Sequence, residues 1–168
     1  VTLGLNDIPD DSGGRTKDYL LQGKTLFKTL ESNSYGWGLA AGVTRHTDPA
    51  AGQGRLSTAY FYLPVSISFA DDRYVLHINL GAQSSHDTRE KSVIYGLGTE
   101  INFTSRFALI AETYGDDRYS PYFQAGVRFW IVPGRAQIDA TRGAQTGNFG
   151  NSNWWTIGVR LITPPFLK

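Results

Sequence analysis

Read at every second residue, "PYFQAGVRFWIVPGRAQIDA" (121–140) splits into two rows. Phe123, Ala125, Val127, Phe129 and Ile131 form an apolar row, and Gln124, Gly126, Arg128 and Trp130 stand between them. After a Pro-Gly break, Ala136, Ile138 and Ala140 resume against Gln137, Asp139 and Thr141. A period of two sustained over such lengths predicts strands with one oily and one polar face. The same alternation predicts strands near 1–5, 18–30, 36–46, 58–69, 73–83, 92–103, 106–114, 121–132, 135–142 and 153–163. No stretch carries a helical period, and no linker divides the chain. The expectation is a single all-β domain over residues 1–168, an up-and-down antiparallel barrel of about ten strands (8–10).

Which face is inside follows from three features. Apart from 1–5 and 135–142, the predicted strands are about 9–13 residues long, near the length that crosses a bilayer and longer than typical soluble strands. Tight turns at 31–35, 70–73, 103–107 and 132–134 alternate with longer polar loops at 6–17, 46–57, 83–91, 115–120 and 143–153, the plan of a transmembrane β-barrel. Aromatic residues mark both strand ends on the apolar row. Trp37, Phe69, Tyr74, Phe103, Phe107 and Phe129 cluster at the short turns, and Tyr19, Tyr95, Phe123 and Trp155 at the long loops. Two girdles around an apolar band predict a lipid-facing surface.

The other row carries Lys24, Lys28, His77, Glu100, Glu112, Arg128, Asp139 and Arg160, interleaved with glycines at 36, 38, 42, 81, 96, 98, 126 and 158. Glycine weakens a strand, so its abundance here predicts a narrow interior in which it makes room for the long charged side chains. Charges in such an interior require partners, and a lumenal network of these eight residues is expected. Pro64 predicts a bulge or kink within 58–69.

Composition changes the picture mostly by exclusion. A net charge of +1 gives no drive toward nucleic acid. With no cysteine there is no disulfide or thiolate site. No apolar run is long enough for a transmembrane helix, and no leader is visible, so a signal peptide is expected to have been removed already. No metal site and no cofactor are implied.

The last strand, "WWTIGVRLIT" (154–163), is similar to the β-signal read by the barrel assembly machinery, with Thr156, Gly158 and Leu161 in place and Phe166 standing in for the terminal aromatic. The whole pattern resembles a Gram-negative outer-membrane β-barrel protein. "GVRFWIVPGRAQIDATRG" with "LITPPF" resembles a group of small proteobacterial barrels. The resemblance implies an outer-membrane location, with the lipid bilayer, lipopolysaccharide and the assembly machinery as partners. It also implies an even strand number, so the weakly patterned residues 1–5 are expected to form the tenth strand.

Activity does not follow from the resemblance. The three histidines are His46, His77 and His86. His86, with Ser85 and Asp87, and His46 are the candidates for a lipid-deacylating set, which would need mutual hydrogen-bond geometry. Three classes stand: a structural or narrow-pore barrel filled by charged side chains, a lipid A deacylase-like enzyme, and a soluble barrel binding an apolar ligand.

Overall fold

A computed structural model describes residues 1–9, 15–47, 55–86, 89–150 and 152–162. Ten strands run in chain order: β1 (Thr2–Pro9), β2 (Arg15–Lys28), β3 (Tyr35–Thr47), β4 (Arg55–Phe69), β5 (Tyr74–Ser85), β6 (Lys91–Asn102), β7 (Phe107–Asp116), β8 (Tyr122–Val132), β9 (Ala136–Gln145) and β10 (Trp154–Leu161). Each pairs antiparallel with the next, giving one up-and-down sheet from β1 to β10. Residues expected only as a weak first strand form a full eight-residue one, whose partners run from Thr2↔Gln22 to Pro9↔Arg15.

Strand ends at the short turns fall within two residues of the sequence expectation. At the other end most strands run further: β5 reaches Ser85, β7 Asp116 and β9 Gln145. The alternation fades there because both faces are polar, while the backbone ladder continues. Gly143, expected in a loop, therefore lies in β9 opposite Trp154.

The expected bulge at Pro64 is absent. Pro64 pairs with Asn79 in an uninterrupted β4–β5 register. On the β3 side the ladder omits the pairs at Gly38 and Leu39 and then resumes in the same register. The missing N–H is accommodated by skipped bonds rather than by an extra residue. Bulges occur instead at Leu26/Lys28, Thr44/Arg45 and Trp130/Val132, all near strand ends.

The sheet is inside-out by the standard of a water-soluble fold. On one face every strand exposes large apolar side chains, among them Leu3, Leu21, Leu39, Phe61, Leu80, Leu97, Leu109, Val127, Ile138 and Ile157. The buried apolar residues among those described are small or medium: Ala40, Val75, Ala108 and Ala144. Among the described residues the largest fully buried side chain is Gln137, 1% exposed. The sheet curls so that Lys24 of β2 and Arg160 of β10 line one cavity of about 560 Å³ with the strands between. No ladder among the described residues joins β10 to β1. The outward side chains of these edge strands are very open, Leu3 at 79% and Ile157 at 80%.

Aromatic rings pair around the short turns: Phe27 with Trp37 at 4.7 Å, Phe69 with Tyr74 at 5.5 Å and Phe103 with Phe107 at 6.1 Å. Tyr19, Tyr95, Phe123 and Trp155 are exposed at the opposite ends of the same face. There Arg142 lies over the Trp155 ring at 5.5 Å, a cation–π arrangement.

Candidate functional site

The inner face is built from the alternate residues that the apolar row leaves. Three cations (Lys24, Arg128, Arg160) and three carboxylates (Glu100, Glu112, Asp139) line the cavity, with His77 among them. Arg128 and Asp139 are direct partners on β8 and β9, and the guanidinium donates twice to the Asp139 carboxylate, at 2.9 and 3.2 Å. Arg128 also donates to Glu100 on β6. To reach it, the side chain crosses β7 beside Ala108, which is 1% exposed. A two-sided, charge-assisted arrangement of this kind is far stronger than a neutral hydrogen bond.

Hydrogen bonds extend the cluster. Gln137 donates to both Asp139 oxygens, at 3.2 and 3.0 Å. Gln124 donates to Glu112 at 2.5 Å and accepts from the Thr141 hydroxyl at 3.3 Å. His77 Nδ1 is 2.8 Å from the Ser66 hydroxyl, its partner on β4.

A recurrent device underlies these contacts: a small residue on the middle strand lets a long side chain bridge its two neighbours. Tyr60 of β4 lies over Gly42 of β3 and donates to Gln22 of β2 at 2.8 Å. A Cβ at Gly42 would run into the Tyr60 ring, and one at Gly143 into the Trp154 ring. An aromatic side chain covering a cross-strand glycine is a known way to pin register. Some glycines thus make room for rings rather than charges; Gly98, between His77 and Glu112, stands between charged or polar partners.

The eight expected network residues do not all meet. Lys28 is diverted by the bulge at Leu26/Lys28, which aligns it with Trp37. Its ammonium sits 3.5 Å from the Tyr35 ring centroid and 3.4 Å from the Ser34 hydroxyl. Lys24 and Arg160 line the cavity without an ion pair among the described residues. Gln22, Gln124 and Gln137 were less legible: parity places them on the inner row, but an uncharged side chain does not announce a partner.

The hydrolytic candidates are not assembled. Ser85 ends β5, and its N–H donates to the Glu90 carbonyl at 2.9 Å; His86 follows, exposed, in the turn. No hydrogen bond joins the two among the described residues. His46 lies in β3 by its backbone, and Asp87 is outside the described residues. Of the assembly-signal residues, Thr156 and Gly158 sit on the inner face of β10, Leu161 on the outer face, and Phe166 is outside the described residues. Among the described residues no three His, Asp or Glu side chains are close enough to hold a metal ion.

The inner face can therefore hold charge and polar groups in fixed pairs; among the described residues it shows no arranged nucleophile. No curated protein and no solved structure matches the chain. A family model does, over residues 1–162, and the chain belongs to the family described as "Uncharacterised conserved protein UCP029691".

Proposed function

We propose that the protein is an integral outer-membrane β-barrel of a Gram-negative bacterium, a scaffold or narrow pore whose interior is filled by paired charged and polar side chains. One observation carries the reading: among the described residues Gln137 is the largest fully buried side chain, while large apolar residues of every strand are exposed on the opposite face. In water such a surface is an aggregation hazard; in hydrocarbon it is the favourable one. Closure comes from β1 pairing with β10, because unpaired edge groups in lipid cost several kcal/mol each. The short turns then face the periplasm and the long loops the outside, with lipopolysaccharide around the outer girdle and the assembly machinery reading β10.

The Arg128–Glu100–Asp139 cluster occupies an interior lined by three cations and three carboxylates in all, which favours a filled interior over an open channel. It gives no support to a soluble barrel for an apolar ligand, whose cavity would be oily. Membrane fractionation, with heat-dependent migration of the purified protein on a gel, tests the location and the barrel. Planar-bilayer recording tests the interior. Little or no steady conductance is expected, and a large one overturns the filled interior.

A further inference from the structure

The outer face is not uniform. Across β2 to β5 it is dented by small residues, Gly23, Ala41, Ala59 and Ala82, which form the floor of a groove of about 750 Å³. That volume falls in the range of small-molecule sites, about 300–1,000 Å³. Phe61 stands in the groove, and Lys91 of β6 closes its far end. The shape follows from register. Ala59 pairs with Val43 on one side and Ser84 on the other, and Ser84 pairs with Lys91. Two residues further toward the short turns the same strands carry Leu39, Leu63 and Leu80, all exposed, so a ridge of leucines bounds the groove on that side.

We infer that this groove is a binding site for a hydrocarbon chain of an anionic, phosphate-bearing lipid, with the headgroup held at Lys91. The inference rests on the membrane reading above and adds a specific lipid site to it. Two features select this occupant. The floor and walls are apolar, as a chain requires. The cation stands at the long-loop end of the strands, where a headgroup would sit. Charge complementarity to an anionic headgroup follows. A second copy of the chain fits less well, because a two-fold contact presents the same patch to itself and would bring like charges together.

The test is native mass spectrometry of the full-length protein in a zwitterionic detergent, with dipalmitoyl phosphatidylglycerol or phosphatidylcholine added in series. Wild type should retain one phosphatidylglycerol in preference to phosphatidylcholine. Ala59→Leu, which fills the groove from its floor, should lose retention of both. Lys91→Glu should keep the groove but lower the preference by about fivefold or more, the weight of one cation at an anionic surface. Heat-dependent gel migration of each variant separates the two readings: a chain that never folds in detergent fails the barrel, whereas a folded one without lipid preference fails the groove. Equal retention of the two lipids by wild type, unchanged retention in Ala59→Leu, or a dimer that Ala59→Leu dissociates would overturn the inference, the last in favour of a second copy.

Discussion

Two walls of the same interior are built in opposite ways. Along β8 the inner row is Tyr122, Gln124, Gly126, Arg128 and Trp130, and the long side chains of Gln124 and Arg128 reach into the cavity. Along β3 it is Gly36, Gly38, Ala40, Gly42 and Thr44, almost bare backbone, with Ala40 fully buried. The first wall fills space and carries charge; the second yields space. Tyr60 uses that space to cross β3 and reach Gln22. The difference teaches that the interior is not a uniform polar lining. Its volume is divided between strands that project and strands that recede, and the contacts that reach across a strand, Arg128 to Glu100 and Tyr60 to Gln22, pass over a small residue on it.

The contrast breaks most severely at Arg128. Its side chain and those of Glu100 and Asp139 are between 16% and 26% exposed. Arg128→Ala leaves two carboxylates without their cation and should cost about 3–5 kcal/mol, the range for uncoupling a buried pair. Lys24, on β2 beside the bare wall, has no such pair among the described residues, and Lys24→Ala should fall within about 0.5 kcal/mol of wild type. Urea titration of folding into lipid vesicles measures both. Equal effects would dissolve the distinction between the walls.

The outer face supplies the next largest effect. Leu97 is exposed mid-strand on β6. Leu97→Arg should cost about 2–4 kcal/mol in lipid, as a cation on the lipid face near the midplane does. If the same titration finds the variant as stable as wild type, the apolar face does not meet hydrocarbon.

The receding wall can be challenged with a single methyl group. A Cβ at Gly38 would collide with the Thr25 carbonyl oxygen of the adjacent strand, which is backbone and cannot swing away. Gly38→Ala should cost about 1–3 kcal/mol by overpacking. Gly158, whose Cβ would meet nothing within 4 Å, is the control: Gly158→Ala should be close to neutral. A reversed order would mean that β3 is spaced more loosely than its glycines suggest.

Much of this was legible in the sequence, and the limits are physical. Nine strands and the sharing of residues between two faces followed from a period of two that holds wherever one face is apolar, and the tenth from the even strand number that the resemblance implied. The Arg128–Asp139 pairing could be counted out from the 132–134 turn, since a tight turn fixes register. Strand ends toward the long loops could not be read, because Ser84–Ser85 is polar on both faces and Gly143–Gln145 offers only the small Ala144, so the alternation carries little contrast. Lys28 was misplaced for a different reason. Parity assigned it to the inner row, but a bulge one residue before it reverses facing, and bulges depend on the neighbouring strand. Likewise, Glu100 shares no ladder with Arg128, so local pattern could not have matched them across Ala108.

The smallest expected effect lies at the short turns, where the receding wall is tied to its neighbours. Asn33, in the turn between β2 and β3, donates to the Asp71 carboxylate at 2.7 Å and accepts from the Asp71 N–H at 2.8 Å. Asp71 belongs to the β4–β5 turn, and Asn102 of β6 donates to the Asp72 carbonyl at 2.7 Å. Three consecutive hairpins are thus stitched at one end. Asn33 adopts a φ of 53°, and Ala70, Asp71 and Asp72 are also left-handed. Asn33→Gly removes both Asn33 side-chain bonds, exposed ones worth about 0.5–1.5 kcal/mol each at most, while relieving the left-handed backbone that glycine adopts freely. The two terms oppose, and the net loss should stay below about 1 kcal/mol. Asn33→Ala keeps the backbone strain and loses the same bonds, so it should be the worse of the two. Thermal melts of both variants in detergent decide it. If Asn33→Gly proves at least as damaging as Asn33→Ala, the left-handed backbone at 33 holds no strain for glycine to relieve; if Asn33→Gly alone costs more than about 1 kcal/mol, the side-chain stitch outweighs the backbone term and is stronger than exposed hydrogen bonds should be.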